Sequence, residues 1–325
     1  MKILIAGELN VDLVLQNPRS FPVLGRETLV EGVSLTVGSA SAICASALAK
    51  LGEQVTFIGK VGVDGWGDLC LKSLGELGID CSLVSRDESL TTGITVSITW
   101  TKDRALLTYL GSIAALQASD VSNEYLRGCR HLHVSSFFLQ RALRPGLKSL
   151  LARARENGLT TSVDPGFDPE EAWGRDLIHT LDEVDVFLPN EIELAAISGN
   201  ENRTEALQSL KNGRTLIVAK LGGDGCMAIC DSEVVSVPAF PITPVDTTGA
   251  GDTFNAGFLH AWLDGADLEA AMRFGAACGA LSTLGLGGTA NQPTESQARE
   301  FMRKRSGADA RNPAAVKDDY LNARQ

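Results

Sequence analysis

The feature that most constrains the fold is a regular alternation of short apolar segments with helical segments. Lys2 to Ala6 and Val55 to Gly59 are short runs rich in apolar and β-branched residues, which predict buried strands. Ser41 to Leu51 and Trp66 to Leu77 carry apolar residues three and four positions apart, and a glycine follows each, which predicts helices. Repeated β-α-β units with short connections predict a mostly parallel sheet with helices on both faces.

The alternation continues through most of the remaining chain. The same criteria predict strands at 131–134, 160–163, 184–188 and 215–221, and helices at 146–156, 204–211, 253–263 and 268–284. A chain of 325 residues can bury roughly three quarters of its unfolded surface, so its core needs no disulfide or metal for stability.

Two helix-free segments, residues 12–33 and 91–110, interrupt the alternation. In the second, alternating apolar residues flank the charged turn Lys102-Asp103-Arg104, which predicts a β-hairpin. Such strands indicate either a small sheet that forms a lid over a site or an edge extension of the main sheet. The predicted division is a core of residues 1–11, 34–90 and 111–304, a β-lid of residues 12–33 and 91–110, and a polar C-terminal tail of residues 305–325.

The charge balance argues against nucleic acid as the main partner. Lys and Arg number 29 against 40 Asp and Glu, which gives a formal net charge of −11, whereas phosphate contacts need positive surface. An anionic small ligand stays compatible with this balance, because it needs only a local positive site.

Two further patterns predict a cytoplasmic protein with no membrane segment. The first apolar run, Ile3 to Ala6, is too short for a signal peptide, and no stretch reaches 18 uninterrupted apolar residues. The seven cysteines are scattered and odd in number, which is typical of reduced thiols. Cys226 and Cys230 lie in a run that indicates a buried strand rather than a metal site. No ligand spacing with carboxylates is recognised around the four histidines, His131, His133, His179 and His260.

Common motifs of nucleotide-binding proteins are missing from the sequence. There is no G-x-x-x-x-G-K-[ST], and the first strand is followed by Gly7-Glu-Leu-Asn10 rather than by G-x-G-x-x-G. H-E-x-x-H, G-x-S-x-G and the kinase H-R-D set do not occur either. A plain P-loop ATPase and a dinucleotide oxidoreductase are therefore disfavoured.

The most informative segment runs from Asp246 to Trp262, where a polar turn leads into an apolar helix. This places Gly249, Ala250 and Gly251 at a helix N-terminus, where backbone N–H groups and the helix dipole form an anion site. Asp252 follows at once and is suited to take a proton from an attacking hydroxyl. The alternative for Asp252 is a structural N-cap.

This segment resembles the second signature of the ribokinase-like (PfkB-type) carbohydrate kinases. Further matches follow in the order that this family shows, over roughly residues 1 to 295. They are Gly7-Glu-Leu-Asn10-Val-Asp12, Val37-Gly38-Ser-Ala-Ser to Leu51-Gly52, Ile58-Gly59-Lys-Val-Gly62-Val-Asp64-Gly65-Trp-Gly67, Leu188-Pro-Asn190-Glu-Ile-Glu193 and Val218-Ala-Lys220-Leu-Gly222-Gly-Asp-Gly225.

The resemblance implies a three-layer α/β/α sandwich around a mostly parallel sheet, with a small β-sheet lid. It also implies a kinase that transfers the γ-phosphate of ATP, with Mg2+, to a hydroxyl of a small carbohydrate. Asp252 would be the catalytic base, and Gly249, Ala250 and Gly251 the anion hole for charge that develops on the phosphoryl group.

By the same resemblance, four residues would bind ATP, namely Asn190, Lys220, Gly222 and Gly225. Glu193 would help to position Mg2+ through water. Asp246 and the carbonyl of Thr248 resemble a monovalent-cation site, which would hold K+. For Asn190 and Glu193 the structural alternatives are a polar strand end and a solvated helix start. For the loop of Gly222 and Gly225 the alternative is a simple hairpin turn, and for Asp246 it is a brace of its own turn.

On the acceptor side, Asn10 and Asp12 share one face of a strand end and can bond adjacent hydroxyls. Gly38 and Ser39 would complete the sugar site, where the family usually has Gly-Gly. The sequence departs from the family at Ile43, which replaces an Asn that contacts a hydroxyl, so ribose is in doubt. Ala276 likewise replaces a frequent Asn, which leaves the adenine contacts open.

Two other functions remain open at this stage. One is a nucleoside or vitamin kinase of the same superfamily, for which Trp100 is the main stacking candidate in the lid. The other is a sugar sensor without catalysis on a kinase scaffold, which the change at Ile43 keeps open. The expected partners are a small sugar and ATP, with a homodimer through the lid as a further candidate.

Overall fold

The computed structural model describes residues 2–100, 104–230 and 233–306. Most of the predicted tail, and Lys102 and Asp103 of the predicted hairpin turn, lie outside the described residues. The chain forms two compact units. The first comprises residues 1–43, 55–161 and 166–171, and the second comprises residues 44–54, 162–165 and 172–325.

Among its described residues, the first unit contains eight complete strands, listed here in chain order: β1 Lys2–Ala6, β2 Asn10–Gln16, β3 Gly32–Val37, β4 Val55–Gly62, β5 Asp80–Asp87, β6 Gly93–Thr99, β7 Arg104–Tyr109 and β8 Cys129–Val134. Its complete helices are α2 Gly65–Glu76, α3 Asn123–Leu126 and α4 Leu147–Glu156. Helix α1 Ala40–Lys50 and strand β9 Thr160–Val163 each belong partly to the first unit and partly to the second.

The larger sheet of the first unit has the order β9-β8-β1-β4-β5. Strand β1 pairs in parallel with β8 and β4, and β4 pairs in parallel with β5. Ile3, Leu4 and Ile5 of β1 are all fully buried, as expected for a central strand covered on both faces. The predicted mostly parallel sheet is confirmed.

A separate four-stranded sheet, hereafter the small sheet, has the order β3-β2-β6-β7. The predicted hairpin is present as the antiparallel pair β6-β7, and the alternative of an edge extension is wrong. The strands reach beyond the predicted lid limits of 12–33, because the ladder between β2 and β3 runs on to the pair Val11 and Val37.

The two faces of the small sheet differ in chemistry because side chains alternate along each strand. One row across all four strands is Leu35-Leu13-Val96-Leu107, and the next row is Thr36-Asp12-Thr95-Thr108. One face is therefore apolar, and the other presents Asp12 among threonines.

The second unit contains β10 Val186–Phe187, β11 Leu216–Lys220, β12 Cys226–Cys230 and β13 Glu233–Val237. Its complete helices are α5 Arg175–Thr180, α6 Glu191–Ser198, α7 Arg203–Ser209, α8 Ala250–Leu263, α9 Leu268–Ser282 and α10 Glu295–Ser306. Strand β10 pairs in parallel with the end of β9 and with β11, whereas β12 and β13 are antiparallel additions.

Two elements of the second unit differ from the sequence expectations. The strand predicted at 184–188 is reduced to two residues, because a 3-10 turn at Leu181–Glu183 occupies the approach to it. Helix α10 continues to Ser306, past the predicted start of the tail, and Phe301 buries its ring against Phe240.

Helices α8 and α9 pack closely because small residues face each other. A Cβ placed on Gly257 would lie 2.8 Å from the Cys278 side chain and 3.1 Å from the Gly275 backbone. This close packing fixes the position of α8 within its unit. Among the described residues, no helix combines the length and apolar character needed to cross a bilayer.

Candidate active site

The first unit brings together three of the predicted acceptor residues at the start of β2 and the end of β3. Asn10 Nδ2 donates to Asp12 Oδ1 at 3.0 Å. A Cβ on Gly38 would lie 1.9 Å from the same Asp12 oxygen and 2.7 Å from Asn10 Nδ2. Gly38 therefore lets a carboxylate and an amide lie beside the backbone, which is a suitable arrangement for sugar hydroxyls.

Burial raises the pKa of Asp12 from its usual 3.8 to about 6, although the Asn10 hydrogen bond and the charge of Arg104 lower it. The carboxyl group is thus held in surroundings that offer it less solvation than water does. A ligand that donates hydrogen bonds to it would restore part of this solvation.

Ser39 lies at the same place but in an unusual backbone conformation. Its φ is +72°, in the left-handed region, which costs a non-glycine residue about 1–2 kcal/mol. Its Oγ donates to the carbonyl oxygen of Glu8 at 2.5 Å and accepts from Ala42 N at 3.0 Å. Ser39 thus links the end of β1 to the start of α1.

Glu8 is a buried residue of this region that sequence reasoning missed. Its carboxylate accepts from Ser41 Oγ at 2.6 Å, from Ser41 N at 3.2 Å and from Ser136 Oγ at 2.9 Å. Ser136 also has a left-handed φ, of +54°. Both residues follow the carboxyl end of a parallel strand, where open α/β sheets bind ligands. Their position just after a predicted strand could have identified them from the sequence.

Ile43, the departure from the family pattern, is buried and closes the first turn of α1, with its N–H donating to Ser39 O at 2.9 Å. An apolar side chain at this position gives a hydroxyl group no partner.

The anion-hole segment lies at the start of α8, as predicted. Gly249 is the N-cap with φ +72°, and Ala250, Gly251 and Asp252 form the first turn. Ala250 N donates to Thr247 O at 3.2 Å. Because Gly249 is the N-cap, the alternative of Asp252 as an N-cap is wrong.

Lys220 is buried at the end of β11 and is surrounded by three acceptors. Its Nζ lies 2.6 Å from Asp164 Oδ2, 2.7 Å from Leu188 O and 3.1 Å from Asn255 Oδ1. Asn255 Nδ2 in turn donates to Asp164 Oδ2 at 2.5 Å. Burial alone would lower the pKa of Lys220, but the charges of Asp164 and Glu193 outweigh it and raise the pKa.

Asp164 and Asn255 were missed by sequence reasoning. Asp164 directly follows β9, and Asn255 lies three residues after Asp252 on α8. We name the group of Asp164, Lys220 and Asn255 the lysine network. Together with the Leu188 carbonyl, the network accounts for the three hydrogens of the Lys220 ammonium, so direct contact of the ammonium with ATP would require a rearrangement.

Asn190 and Glu193 cap helix α6 reciprocally. Glu193 N donates to Asn190 Oδ1 at 2.9 Å, and Asn190 N donates to Glu193 Oε2 at 2.7 Å. Such a capping box satisfies two N–H groups of the first turn. Burial and then the charge of Asp164 raise the pKa of Glu193 to about 7.

The predicted nucleotide loop is a 3-10 turn, Gly222–Asp224, between β11 and β12. Gly222 and Gly225 have φ values of +56° and +99°, and a Cβ on Gly225 would lie 2.0 Å from Val237 O. Both glycines are therefore needed by the turn itself. Asp224 is held by Arg203 at 2.7 Å.

Asp246 and Thr248 brace the turn before α8. Asp246 Oδ1 accepts from Thr248 N at 2.9 Å, and Oδ2 accepts from Gly287 N at 2.8 Å. These contacts match the structural alternative for Asp246 and also fix the turn that presents Gly249.

The expectation that no histidine has carboxylates at ligand spacing is wrong for His260. Its Nδ1 lies 2.8 Å from Glu53 Oε1, and Glu53, His260 and Asp264 offer ligand atoms within 4.8 Å of one another. The sequence signal was the spacing of four between His260 and Asp264 on one helix. His131 and His133 are buried, and His179 is exposed.

Comparison with known proteins identifies the family to which the chain belongs. The sequence model of the pfkB family carbohydrate kinases matches residues 1–295. An ATP-dependent ribose-1-phosphate kinase of Halopiger xanaduensis is 32% identical over 309 residues, which are 94% of this chain and 99% of that protein. Ribokinase of Bacillus subtilis is 27% identical over 307 residues, 92% of this chain and 99% of that one.

Solved structures agree on the fold. An E. coli protein named ribokinase II, in complex with ATP and Mg2+, superposes with a TM-score of 0.83 at 23% identity, over 93% of this chain and 99% of that one. Ribokinase of Arabidopsis thaliana, complexed with ribose and ATP, gives a TM-score of 0.80 at 22% identity, over 93% and 98%. The ribokinase-like fold, with a large mostly parallel sheet and a smaller sheet, is confirmed.

Proposed function

Because the chain belongs to the pfkB family of carbohydrate kinases, and is therefore an ATP-binding kinase of ribokinase-like fold, we propose that it phosphorylates a hydroxyl of a small sugar of the pentose class, with Asp252 as the general base. The observation that carries this proposal is the start of α8. A left-handed glycine caps the helix, two small residues follow, and a carboxylate stands third.

In this proposal the residues of the first turn have separate tasks. The N–H groups near Gly249, Ala250 and Gly251, with the positive end of the helix dipole, stabilise negative charge on the phosphoryl group. Asp252 accepts the proton of the attacking sugar hydroxyl. Gly222 and Gly225 shape the nucleotide loop.

The residues around α6 fit a magnesium ion. Mg2+ prefers oxygen ligands, and three carboxylates, Asp164, Glu193 and Asp252, act electrostatically on the one ammonium of Lys220. A divalent cation would offset the excess negative charge of these carboxylates. Asn190 and Glu193 would hold this cation through water molecules. Mg2+ bound with ATP neutralises charge on the phosphates.

Asp246 and the Thr248 carbonyl stay our proposal for a monovalent-cation site. Its support is the position of this turn immediately before the anion hole. We expect turnover to be faster in KCl than in NaCl at equal ionic strength, and equal rates would contradict the site.

On the acceptor side, the polar pair Asn10 and Asp12 would bind adjacent hydroxyls, and Gly38 and Ser39 would let the sugar approach the backbone. The apolar Ile43 favours an acceptor that makes fewer hydroxyl contacts than ribose. The named activities of the relatives, ribose-1-phosphate kinase and ribokinase, therefore set the first compounds to assay.

The test is ADP release from Mg2+-ATP with ribose, 2-deoxyribose, ribose 1-phosphate, fructose and nucleosides as acceptors. Asp252→Asn should keep AMP-PNP binding and lose about 10²–10⁴-fold in kcat, since it removes a general base. Unchanged kcat in that variant would contradict the assigned base. Saturable sugar binding without ADP release would favour the non-catalytic sensor, and release only with nucleosides would favour the nucleoside kinase.

We further propose that the apolar face of the small sheet binds a second copy of the chain. Leu35, Leu107 and Tyr109 are 48%, 63% and 56% exposed there, and an exposed apolar sheet face usually marks an interaction site. Leu107→Lys should convert a dimer to a monomer in sedimentation, whereas the exposed Val63→Lys, outside this sheet, should not. A wild-type monomer at all concentrations would contradict the dimer.

A further inference from the structure

The lysine network joins three secondary-structure elements of the second unit at one point. Asp164 follows β9, Lys220 ends β11, and Asn255 belongs to α8. The Leu188 carbonyl, which accepts from Lys220 at 2.7 Å, follows β10. One ammonium group thus ties the carboxyl ends of three neighbouring parallel strands to a helix.

The attachment point on α8 is close to its catalytic turn. Asn255 lies three residues after Asp252, so the two side chains emerge near each other along the helix surface. The stem of Lys220 also passes the first turn, because a Cβ on Gly251 would lie 3.7 Å from Lys220 Cδ and Cε. Lys220 therefore bonds α8 through Asn255 and has its stem close to Gly251 in the first turn.

The network is buried, which makes its geometry well defined. Asn255 is fully buried, and the side chains of Lys220 and Asp164 are 11% and 6% exposed. Buried ion pairs add little net stability compared with apolar residues of similar size, and they are retained in some proteins for the conformation they specify. A network with this composition beside an anion hole is better explained by positioning than by stability.

We infer that Lys220 is a positioning residue, which acts through its bond to Asn255 to hold the first turn of α8 against the strand ends, and so fixes Gly251 and Asp252 for phosphoryl transfer. This inference rests on the proposed function of Asp252. It replaces the role predicted for Lys220 from sequence, a direct contact with ATP.

The test separates positioning from stability by removing the whole network at once. A single change such as Lys220→Met leaves a buried carboxylate without its cation and destabilises the fold for that reason alone. The triple variant Lys220→Met, Asp164→Leu, Asn255→Leu replaces all three groups by apolar ones and leaves neither member of the ion pair behind, so its cost is far smaller than that of the single change. The Leu188 carbonyl loses its Lys220 donor, which accounts for a modest loss of stability. The matched control is the exposed Lys304→Met on α10.

We expect the triple variant to stay folded, with a modestly lower melting temperature than wild type, and to bind AMP-PNP with Mg2+ with a similar Kd. It should lose about 100-fold in kcat at saturating acceptor, as small misplacements of reacting groups do. Lys304→Met should change none of these quantities. A triple variant with wild-type kcat would overturn the inference, and so would a loss of AMP-PNP affinity that accounts for the whole loss of activity.

Asn255→Ala gives a second test if the triple variant does not fold. This variant keeps the ion pair of Lys220 and Asp164 and removes only the amide link to α8. We therefore expect kcat, calculated per molecule of protein that binds AMP-PNP, to fall at least 10-fold. Full kcat would overturn the inference. Failure of the proposed function is distinct from this, because it would appear as an active Asp252→Asn variant or as a wild type that phosphorylates no acceptor.

Discussion

Asn10 Nδ2 donates to Asp12 Oδ1 at 3.0 Å across one face of the small sheet, and this carboxyl group has a pKa raised to about 6 by burial. Alternation along β2 places both side chains on the polar face, whereas Val11 and Leu13 belong to the apolar one. The same strand thus supplies a polar acceptor surface and an apolar interaction surface.

We predict that Asp12→Asn stabilises the free protein at pH 7.5 and impairs its activity. The folded-state pKa of Asp12 is above its usual value, so its contribution to stability is complete below about pH 3.8 and is lost as the pH rises through about 6. Asparagine does not ionise, so the variant avoids the cost of a buried charge at high pH. This cost amounts to at most about 3 kcal/mol of unfolding free energy.

The measurement is urea unfolding of both proteins at pH 3.5 and pH 7.5, with the acceptor KM at pH 7.5. The difference in unfolding free energy should be near zero at the acidic pH and favour the variant at the higher one, while KM rises at least 10-fold. The same difference at both pH values would contradict a raised pKa of Asp12.

Gly38→Ala should damage acceptor binding selectively. Its Cβ would collide with the Asp12 carboxylate, at 1.9 Å, and with the Asn10 amide, at 2.7 Å, so both polar groups must move. We expect KM for the acceptor to rise at least 10-fold and the Kd of AMP-PNP to stay unchanged.

Gly75→Ala is the matched control for this change. Gly75 lies inside α2, and an added Cβ would meet no atom within 4 Å, so the change should be neutral for activity and stabilise by about 0.5–1 kcal/mol. An acceptor KM that stays at the wild-type value in Gly38→Ala would remove Gly38 from the site.

The catalytic turn was predictable from sequence because its residues are contiguous. Gly249, Gly251 and Asp252 lie within four positions, and the apolar pattern that follows predicts the helix that presents them. A local pattern and a local function coincide there, so no tertiary information was needed.

The supporting residues could not be found in this way. Asp164 and Lys220 are separated by 56 positions, and Glu8 and Ser136 by 128 positions. Each forms a buried pair only because parallel strands bring their carboxyl ends to one edge of a sheet. The shortened β10 has a similar cause. The apolar run at 184–188 predicts a full strand, but the 3-10 turn at Leu181–Glu183 is capped by Val184, and the strand begins only at Val186.

Gly249→Ala and Gly251→Ala should separate the stability of the anion-hole turn from its function. Gly249 has φ +72°, so alanine there costs about 1–2 kcal/mol of stability. A Cβ on Gly251 would make only ordinary contacts, at 3.7 Å from the Lys220 stem, so this variant should keep its stability. Because a phosphate must approach the backbone closely, Gly251→Ala should still lose at least 10-fold in kcat/KM for ATP. A fully active Gly251→Ala variant would show that no ligand uses this space.

The His260–Glu53 pair makes a separate prediction about pH and stability. Burial by itself lowers the pKa of His260, but the hydrogen bond and charge of Glu53, followed by the charges of Asp264 and Glu295, outweigh it and raise the pKa. The resulting stabilisation is therefore complete below the usual histidine pKa and is lost as the pH rises through the folded-state value.

Glu53→Gln should consequently destabilise the protein at pH 6 and have a smaller effect at pH 9, because the contribution of the charged pair falls as the pH rises through the folded-state pKa of His260. Urea unfolding in the presence of EDTA is the appropriate measurement, because a metal ion bound by Glu53, His260 and Asp264 would compete with the proton. Glu300→Gln, which removes an exposed pair with Lys304, should change stability by less than about 0.5 kcal/mol at either pH. An effect of Glu53→Gln that is equal at pH 6 and pH 9 would mean that the pair acts through hydrogen bonding alone and not through the charge of His260.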